Sequence, residues 1–278
     1  MMIRCPAITP VGSSPMPHLE LEEGFRLYYE SHGAGPAVLF AHGAGGNAMA
    51  WWQQVAAFSQ RFTAVTFDHR AFGRSPDIEG GPGRRAFGAD ALALLDELDL
   101  ERVHLVAHSM GGRTAAGLIR RCPQRIASVV FSGTTGGAVD GRARARKEKL
   151  EREGFFAGSL LRRALAERFY EDFPERAFLY RQLRGINPPR PRDFLAPPDG
   201  AANYSDSMAG ALVESGAPIL WIVGELDRVV APELVRISHE LTPGSRFQIV
   251  EGAGHSAYFE RPEQWNAAVL TFIDAAEA

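Results

Sequence analysis

The sequence predicts an α/β fold, a doubly wound and mostly parallel sheet with a helical cap insertion. Three observations predict it. Short runs rich in Val, Ile and Phe recur along the chain, with helically patterned stretches between them. Those runs are unbroken rather than alternating with polar residues, which suits parallel strands covered on both faces. One segment, residues 138–208, breaks the rhythm with charged, helix-prone sequence. The chain has 278 residues, 45% of them hydrophobic and 23% charged, as in ordinary globular proteins. A fold of that size buries roughly 75% of the surface its unfolded chain exposes.

The elements follow in order. Residues 18–21 and 25–30 are charged and alternating, and they read as an antiparallel edge hairpin around Gly24. Buried strands are expected at 36–41 (PAVLFA), 63–67 (TAVTF), 102–107 (RVHLVA), 126–131 (IASVVF), 218–223 (PILWIV) and 246–250 (RFQIV). Residues 87–98 carry Ala91, Leu94, Leu95 and Leu98 at helical spacing. Helices are also expected at 114–121, 232–241 and 262–275, with Pro232 tolerated in a first turn. The expected division is a core of 1–137 and 209–278 and a cap of 138–208. From 140 to 199 there are fourteen Arg or Lys against ten Asp or Glu. They read either as a solvated surface or as a device that steers anionic substrates. Both readings place a helical cap over the C-terminal edge of the sheet, where open α/β sheets bind ligands.

Composition excludes several classes. A net charge of −3 is wrong for a globally basic nucleic-acid binder and gives no attraction to membranes. No run of about 18 uncharged apolar residues is present to span a bilayer. The N-terminal stretch is rich in Pro and Ser and lacks the apolar core of a secretory signal. Cys5 and Cys122 are too few for a disulfide framework and lack metal-site spacing. A cytoplasmic protein with a floppy first dozen residues is expected.

The strongest chemical signal is VHLVAHSMGGRTAAGLI, residues 103–119. An apolar strand runs straight into Ser109 and a helix follows at once. A serine on so sharp a corner needs small residues two before and two after it, and Ala107 and Gly111 meet that need. From spacing alone, Ser109 reads equally well as an ordinary helix N-cap. A nucleophilic serine needs a base. Among eight histidines, His255 lies just after a strand in a Gly-flanked loop, which puts it at the same sheet edge as Ser109. The base needs an orienting carboxylate. Asp227 follows the strand ending at Gly224 and is favoured, with Glu225 as the alternative. The loop HGAGGN, residues 42–47, would supply the Ala44 N–H, which with the Met110 N–H would form an oxyanion hole. Ala44 belongs to no phosphate-binding loop, since no GK[ST] follows.

On HGAGGN (42–47), FDHRAFGRS (67–75), VAHSMGG (106–112), VGELDRVV (223–230) and GAGHSAYFERPEQW (252–265), the chain resembles the α/β-hydrolase superfamily, in its small serine-esterase and lactonase branch. Ala107 replaces the first glycine of G-x-S-x-G, and Ala71 stands where relatives carry glycine. The resemblance implies that Asp68, Arg70 and Ser75 are structural. It also separates this chain from dehalogenases and epoxide hydrolases, which place Asp at the nucleophile position. C–C hydrolases of the meta-cleavage type and enol-lactonases share the Ser–Asp–His set. The expected activity is hydrolysis of an ester or lactone of a small, largely apolar molecule through an acyl-enzyme. The alternatives are C–C bond hydrolysis and a small-ligand receptor using the same triad. No metal or organic cofactor is expected. Trp51, Trp52, His108 and Tyr258 are candidates for the pocket wall. Phe155, Phe156, Phe169, Tyr170 and Tyr180 would form either its ceiling or a small core of the cap.

Overall fold

Strands that are apolar on both faces belong in the middle of a layered fold. The computed structural model, which describes residues 17–22, 24–190, 194 and 207–278, has that arrangement. The expectation for the first dozen residues, Cys5 among them, falls outside the described residues. Among the described residues eight strands form one sheet: β1 (His18–Glu22), β2 (Phe25–His32), β3 (Ala37–Ala41), β4 (Thr63–Phe67), β5 (Val103–His108), β6 (Ile126–Ser132), β7 (Ile219–Gly224) and β8 (Arg246–Val250). Their order is β1-β2-β4-β3-β5-β6-β7-β8. The hairpin β1–β2 is antiparallel and β2 runs antiparallel to β4. All other neighbours are parallel. The strands expected from the sequence are all present, and the parallel ones end within one residue of the expected positions.

The helices among the described residues are α1 (Trp52–Phe58), α2 (Phe87–Glu97), α3 (Gly112–Arg121), α4 (Gly141–Arg152), α5 (Leu160–Arg163), α6 (Phe169–Asp172), α7 (Pro174–Gly185), α8 (Ser207–Glu214), α9 (Pro232–Glu240), α10 (Ala257–Glu260) and α11 (Pro262–Glu277). They cover both faces of the sheet. Leu39, Leu105, Phe131 and Trp221 pack with Leu94 of α2, Leu118 of α3, Leu212 of α8 and Val235 of α9. Val38, Phe40, Val130 and Ile222 pack with Phe58 of α1 and with Trp265 and Phe272 of α11. No helix among the described residues is long and apolar enough to cross a membrane.

Between β6 and β7 the chain leaves the sheet for α4 to α8. The first of these is a solvated surface, with exposed pairs Arg142–Glu240, Arg146–Glu233 and Lys147–Glu151. The insertion's aromatic residues form neither one ceiling nor one small core. Phe155 and Phe156 pack near Leu150 against Ala231, just before α9, and Leu234 on it. Phe169 and Tyr180 join the sheet's second cluster, against Phe259. The reason is amphipathicity: α7 turns Ala177, Tyr180 and Leu183 inward, and the nearest apolar surface is the sheet side.

Because the strands from β4 to β8 are parallel, their C-terminal ends share one edge. Ala41 of β3 lies in register with Ala107 of β5, and His108 with Ser132 of β6. Loops leaving β3, β5, β6, β7 and β8 therefore start side by side.

Leu105 is fully buried at the centre of the sheet. Leu105→Ala should cost about 2–5 kcal/mol, since the surrounding strands cannot close the hole. A lower denaturant midpoint with an unchanged slope is the expected result.

Candidate active site

The chain turns from β5 into α3 through a single tight corner, and Ser109 is its first residue. Its φ is 49°, in the left-handed region that side-chain-bearing residues rarely occupy. Close packing holds it there. A Cβ on Gly111 would lie 2.2 Å from the Ala41 carbonyl oxygen, so the third residue of the turn has to be glycine. Ala107, two residues before Ser109, is fully buried.

His255 stands over this corner. Its Nε2 is 2.9 Å from Ser109 Oγ and its Nδ1 is 2.8 Å from Asp227 Oδ2. A carboxylate only accepts, so Nδ1 carries the proton and Nε2 offers a lone pair to the hydroxyl. Asp227 is fully buried, and its Oδ1 accepts from the N–H groups of Val229 at 2.7 Å and Val230 at 2.9 Å. Those bonds fix the carboxylate plane. The alternative acid, Glu225, is exposed and accepts instead from the Gly252 N–H at 2.9 Å. Gly133, just after β6, was not singled out by sequence reasoning. It has φ 57°, and a Cβ there would lie 3.1 Å from His255 Nδ1 and 3.2 Å from Asp227 Oδ2. The readable signal was a glycine directly following a strand end.

The loop after β3 crosses the serine. A Cβ on Gly43 would lie 3.1 Å from the Ser109 Cβ. The Gly43 carbonyl accepts from His42 Nδ1 at 2.9 Å and from the Gly46 N–H at 3.0 Å. His42 Nε2 in turn accepts from the His69 N–H at 2.9 Å, which fixes the His42 tautomer. Burial pushes the His42 imidazole down to about 4, so it stays neutral. His108 donates from Nδ1 to the Ser132 carbonyl at 3.1 Å. Its ring centroid lies 4.8 Å from that of His255 and 4.9 Å from that of Tyr258. Burial, with His255 beside it, holds His108 well below the usual imidazole range.

The chamber over Ser109 has a volume of about 20 Å³, room for one water molecule. His108, His255 and Tyr258 line it from the core, and Leu160, Tyr180 and Arg184 close it from the insertion. Two of the expected wall residues are elsewhere. Trp51 is fully buried, its ring centroid 5.2 Å from Phe40 and 4.4 Å from Tyr258, and it packs the sheet face. Trp52 is 48% exposed, because it opens α1 on the outward side. A larger cleft of about 1080 Å³ lies beyond α5, beside Leu161, Arg163, Tyr170 and Arg228, and Ser109 does not line it.

Glu260 was also missed from the sequence. It is buried in α10, and its two oxygens accept from the N–H groups of Gly254 at 3.0 Å and Ala166 at 2.8 Å. It thus joins the His255 loop to the insertion. Burial pushes its carboxyl up to about 7.

Comparisons with known proteins show the fold. The family model described as alpha/beta hydrolase fold matches residues 36–262. The chain is 27% identical over 243 residues to 3-oxoadipate enol-lactonase 2 of Acinetobacter baylyi, covering 84% of this chain and 87% of that protein. It is similar to the structure of Est816, described as an N-acyl homoserine lactone degrading enzyme, with TM-score 0.72 and 26% identity over 92% of this chain and 100% of that one. A thermophilic esterase from Thermogutta terrifontis matches with TM-score 0.72 and 26% identity, covering 91% of this chain and 95% of that one.

The raised carboxyl of Glu260 has a sign that can be measured. The folded state binds its proton more tightly than the unfolded chain, so stability is lost as pH rises from about 4.5 towards about 7. Glu260→Gln removes this dependence. Thermal melts between pH 5 and 8 should therefore show the wild type losing stability relative to the variant. Parallel curves, whatever the constant offset between them, would refute the assignment.

Proposed function

The chain belongs to the alpha/beta hydrolase fold family, and on that premise we propose that it is a serine hydrolase acting on a carboxylic ester or lactone. The observation that carries this reading is the chain of two hydrogen bonds, Asp227 Oδ2 to His255 Nδ1 at 2.8 Å and His255 Nε2 to Ser109 Oγ at 2.9 Å. In the proposed mechanism Ser109 attacks the carbonyl carbon while His255 takes its proton. Asp227 keeps the imidazole in the right tautomer and stabilises its cation. The N–H groups of Ala44 and Met110 receive the oxyanion. His255 then protonates the departing alkoxide, leaving an acyl-serine. Water, deprotonated by the same imidazole, releases the acid.

The relatives' names support the ester and lactone classes: one is called an enol-lactonase, one an N-acyl homoserine lactone degrading enzyme and one an esterase. The walls from Tyr258, Leu160 and Ala164 favour a small, largely apolar acyl group. The reading includes a cap over 138–208 whose α5 and α7 roof the chamber. Its last residue departs from the role of roof, since Met208, near the start of α8, packs with Leu212 on the opposite face of the sheet.

Ser109→Ala should lower nitrophenyl-ester turnover by more than about 10³ with an unchanged melting temperature. Asp227→Asn should lower it by about 10⁴, since the wrong imidazole tautomer is then favoured. Undiminished turnover in Ser109→Ala would falsify the proposal. Cleavage of a meta-cleavage dienone without ester turnover would move the reaction to C–C hydrolysis.

A further inference from the structure

The end of α7 grips the loop that carries the Ala44 N–H. Asn47 Nδ2 donates to the Leu183 carbonyl at 2.7 Å. Arg184 Nη1 donates to the Ala44 carbonyl at 2.9 Å. Asn187, two residues past the helix, donates from Nδ2 to the Gly45 carbonyl at 2.8 Å and to the Arg184 carbonyl at 3.1 Å. Its Oδ1 accepts from the Gly73 N–H at 2.8 Å. The same helix reaches the other half of the site: the Tyr180 and Ser256 hydroxyls are 2.8 Å apart, and Arg176 donates to the Phe259 carbonyl.

Three successive carbonyls of the loop are thus held. Gly43 is held from within the core, by His42 and the Gly46 N–H, while Ala44 and Gly45 are held only from the insertion among the bonds described above. The Ala44 N–H shares one rigid peptide plane with the Gly43 carbonyl, which accepts from the Gly46 N–H, and that N–H in turn shares a plane with the Gly45 carbonyl that Asn187 holds. Without the Asn187 bond the Gly45–Gly46 peptide is free to turn, which withdraws the Gly46 N–H from the Gly43 carbonyl, leaves His42 as that carbonyl's remaining anchor and loosens the plane that carries the Ala44 N–H.

We infer that Asn187 is a positioning residue that, with Arg184, sets the Ala44 N–H for the oxyanion, so the insertion completes the reactive site as well as covering it. This rests on the serine-hydrolase reading above. Asn187 does not line the chamber, so it acts through the loop rather than on the substrate. Displacing α7 to admit a substrate would dismantle the donor, and closing it would restore the donor around the bound molecule.

The test compares Asn187→Ala and Asn187→Asp with the wild-type enzyme on p-nitrophenyl butyrate, with melting temperatures taken alongside. A donor displaced by about 1 Å costs on the order of 10² in rate. Asn187→Ala should therefore lower kcat by roughly 10- to 100-fold with KM changed less than about threefold, and should weaken a boronic-acid inhibitor by a similar factor. Asn187→Asp keeps the acceptor for Gly73 but loses the donor to Gly45, and it should be as slow as Asn187→Ala. An unchanged kcat in a folded Asn187→Ala would overturn the inference. So would a rise in KM alone, or recovery of kcat by Asn187→Asp, which would place the effect on the Gly73 side. If Asn187→Ala does not fold, the Asp variant alone decides by the same kcat criterion. Activity surviving in Ser109→Ala would instead sink the underlying reading, whatever Asn187 does.

Discussion

Ser109 at φ 49° is the constraint around which the site is built. A non-glycine residue in that region costs on the order of 1–3 kcal/mol and persists only where its surroundings leave no alternative. Here the surroundings are the backbones of two adjacent parallel strands. β3 and β5 are hydrogen-bonded neighbours, Ala41 faces Ala107, and Gly111 tucks against the Ala41 carbonyl. Sheet register and corner strain are therefore one problem. Slipping β5 by one residue would bring a side chain where only a hydrogen fits, and the hydroxyl would leave the edge where His255 waits.

The same parallel packing explains how buried imidazoles serve without charge. His42, His69 and His108 all lie at the strand ends, and burial pushes each of them below the ordinary imidazole range. Neutral rings make directional donors and acceptors. His42 passes a bond from the His69 N–H to the Gly43 carbonyl, and His108 anchors β5 to the Ser132 carbonyl of β6. Three rings so close together in cationic form would repel one another and demand water that the core does not hold. Their neutrality is a condition of the fold, and it leaves His255 as the ring at this edge that faces a carboxylate, that of Asp227.

Much of this was legible in the sequence, for identifiable reasons. Parallel strands advertise themselves as unbroken apolar runs, so β3 to β8 could be placed from composition alone. Ser109 follows such a run directly, Asp227 and His255 lie three and five residues past theirs, and parallel strands must deliver their ends to one edge. What escaped was set by contacts between distant segments. Trp51 and Trp52 are adjacent and chemically identical, yet one packs Phe40 and the other faces solvent, because the turn entering α1 divides them. Glu260 looks like any charged residue in a helical stretch until Ala166 is brought against it. Asn187 precedes two prolines in what reads as a loop, and only the folded chain shows it beside Gly45, 142 positions away. Such partners have no periodicity for a sequence to display.

The insertion gains a more specific part from these contacts. A chamber of about 20 Å³ cannot hold an ester, so its roof has to yield before a substrate arrives. The roof is anchored through polar bonds at discrete points: Asn187 and Arg184 on the glycine loop, Tyr180 on Ser256, and Ala166 on Glu260. Hydrogen bonds of this kind contribute about 1 kcal/mol each net, so a few can break and reform at modest cost, whereas the apolar contact of Phe169 and Tyr180 with Phe259 resists complete detachment. The balance favours a hinge-like lift of α5 and α7 over unfolding of the segment. Because the released bonds are the ones that hold the glycine loop and the His255 loop, an open roof exposes a serine without its proposed helpers. On the proposed reading, closure around a substrate then assembles them together and couples occupancy of the chamber to its reactivity.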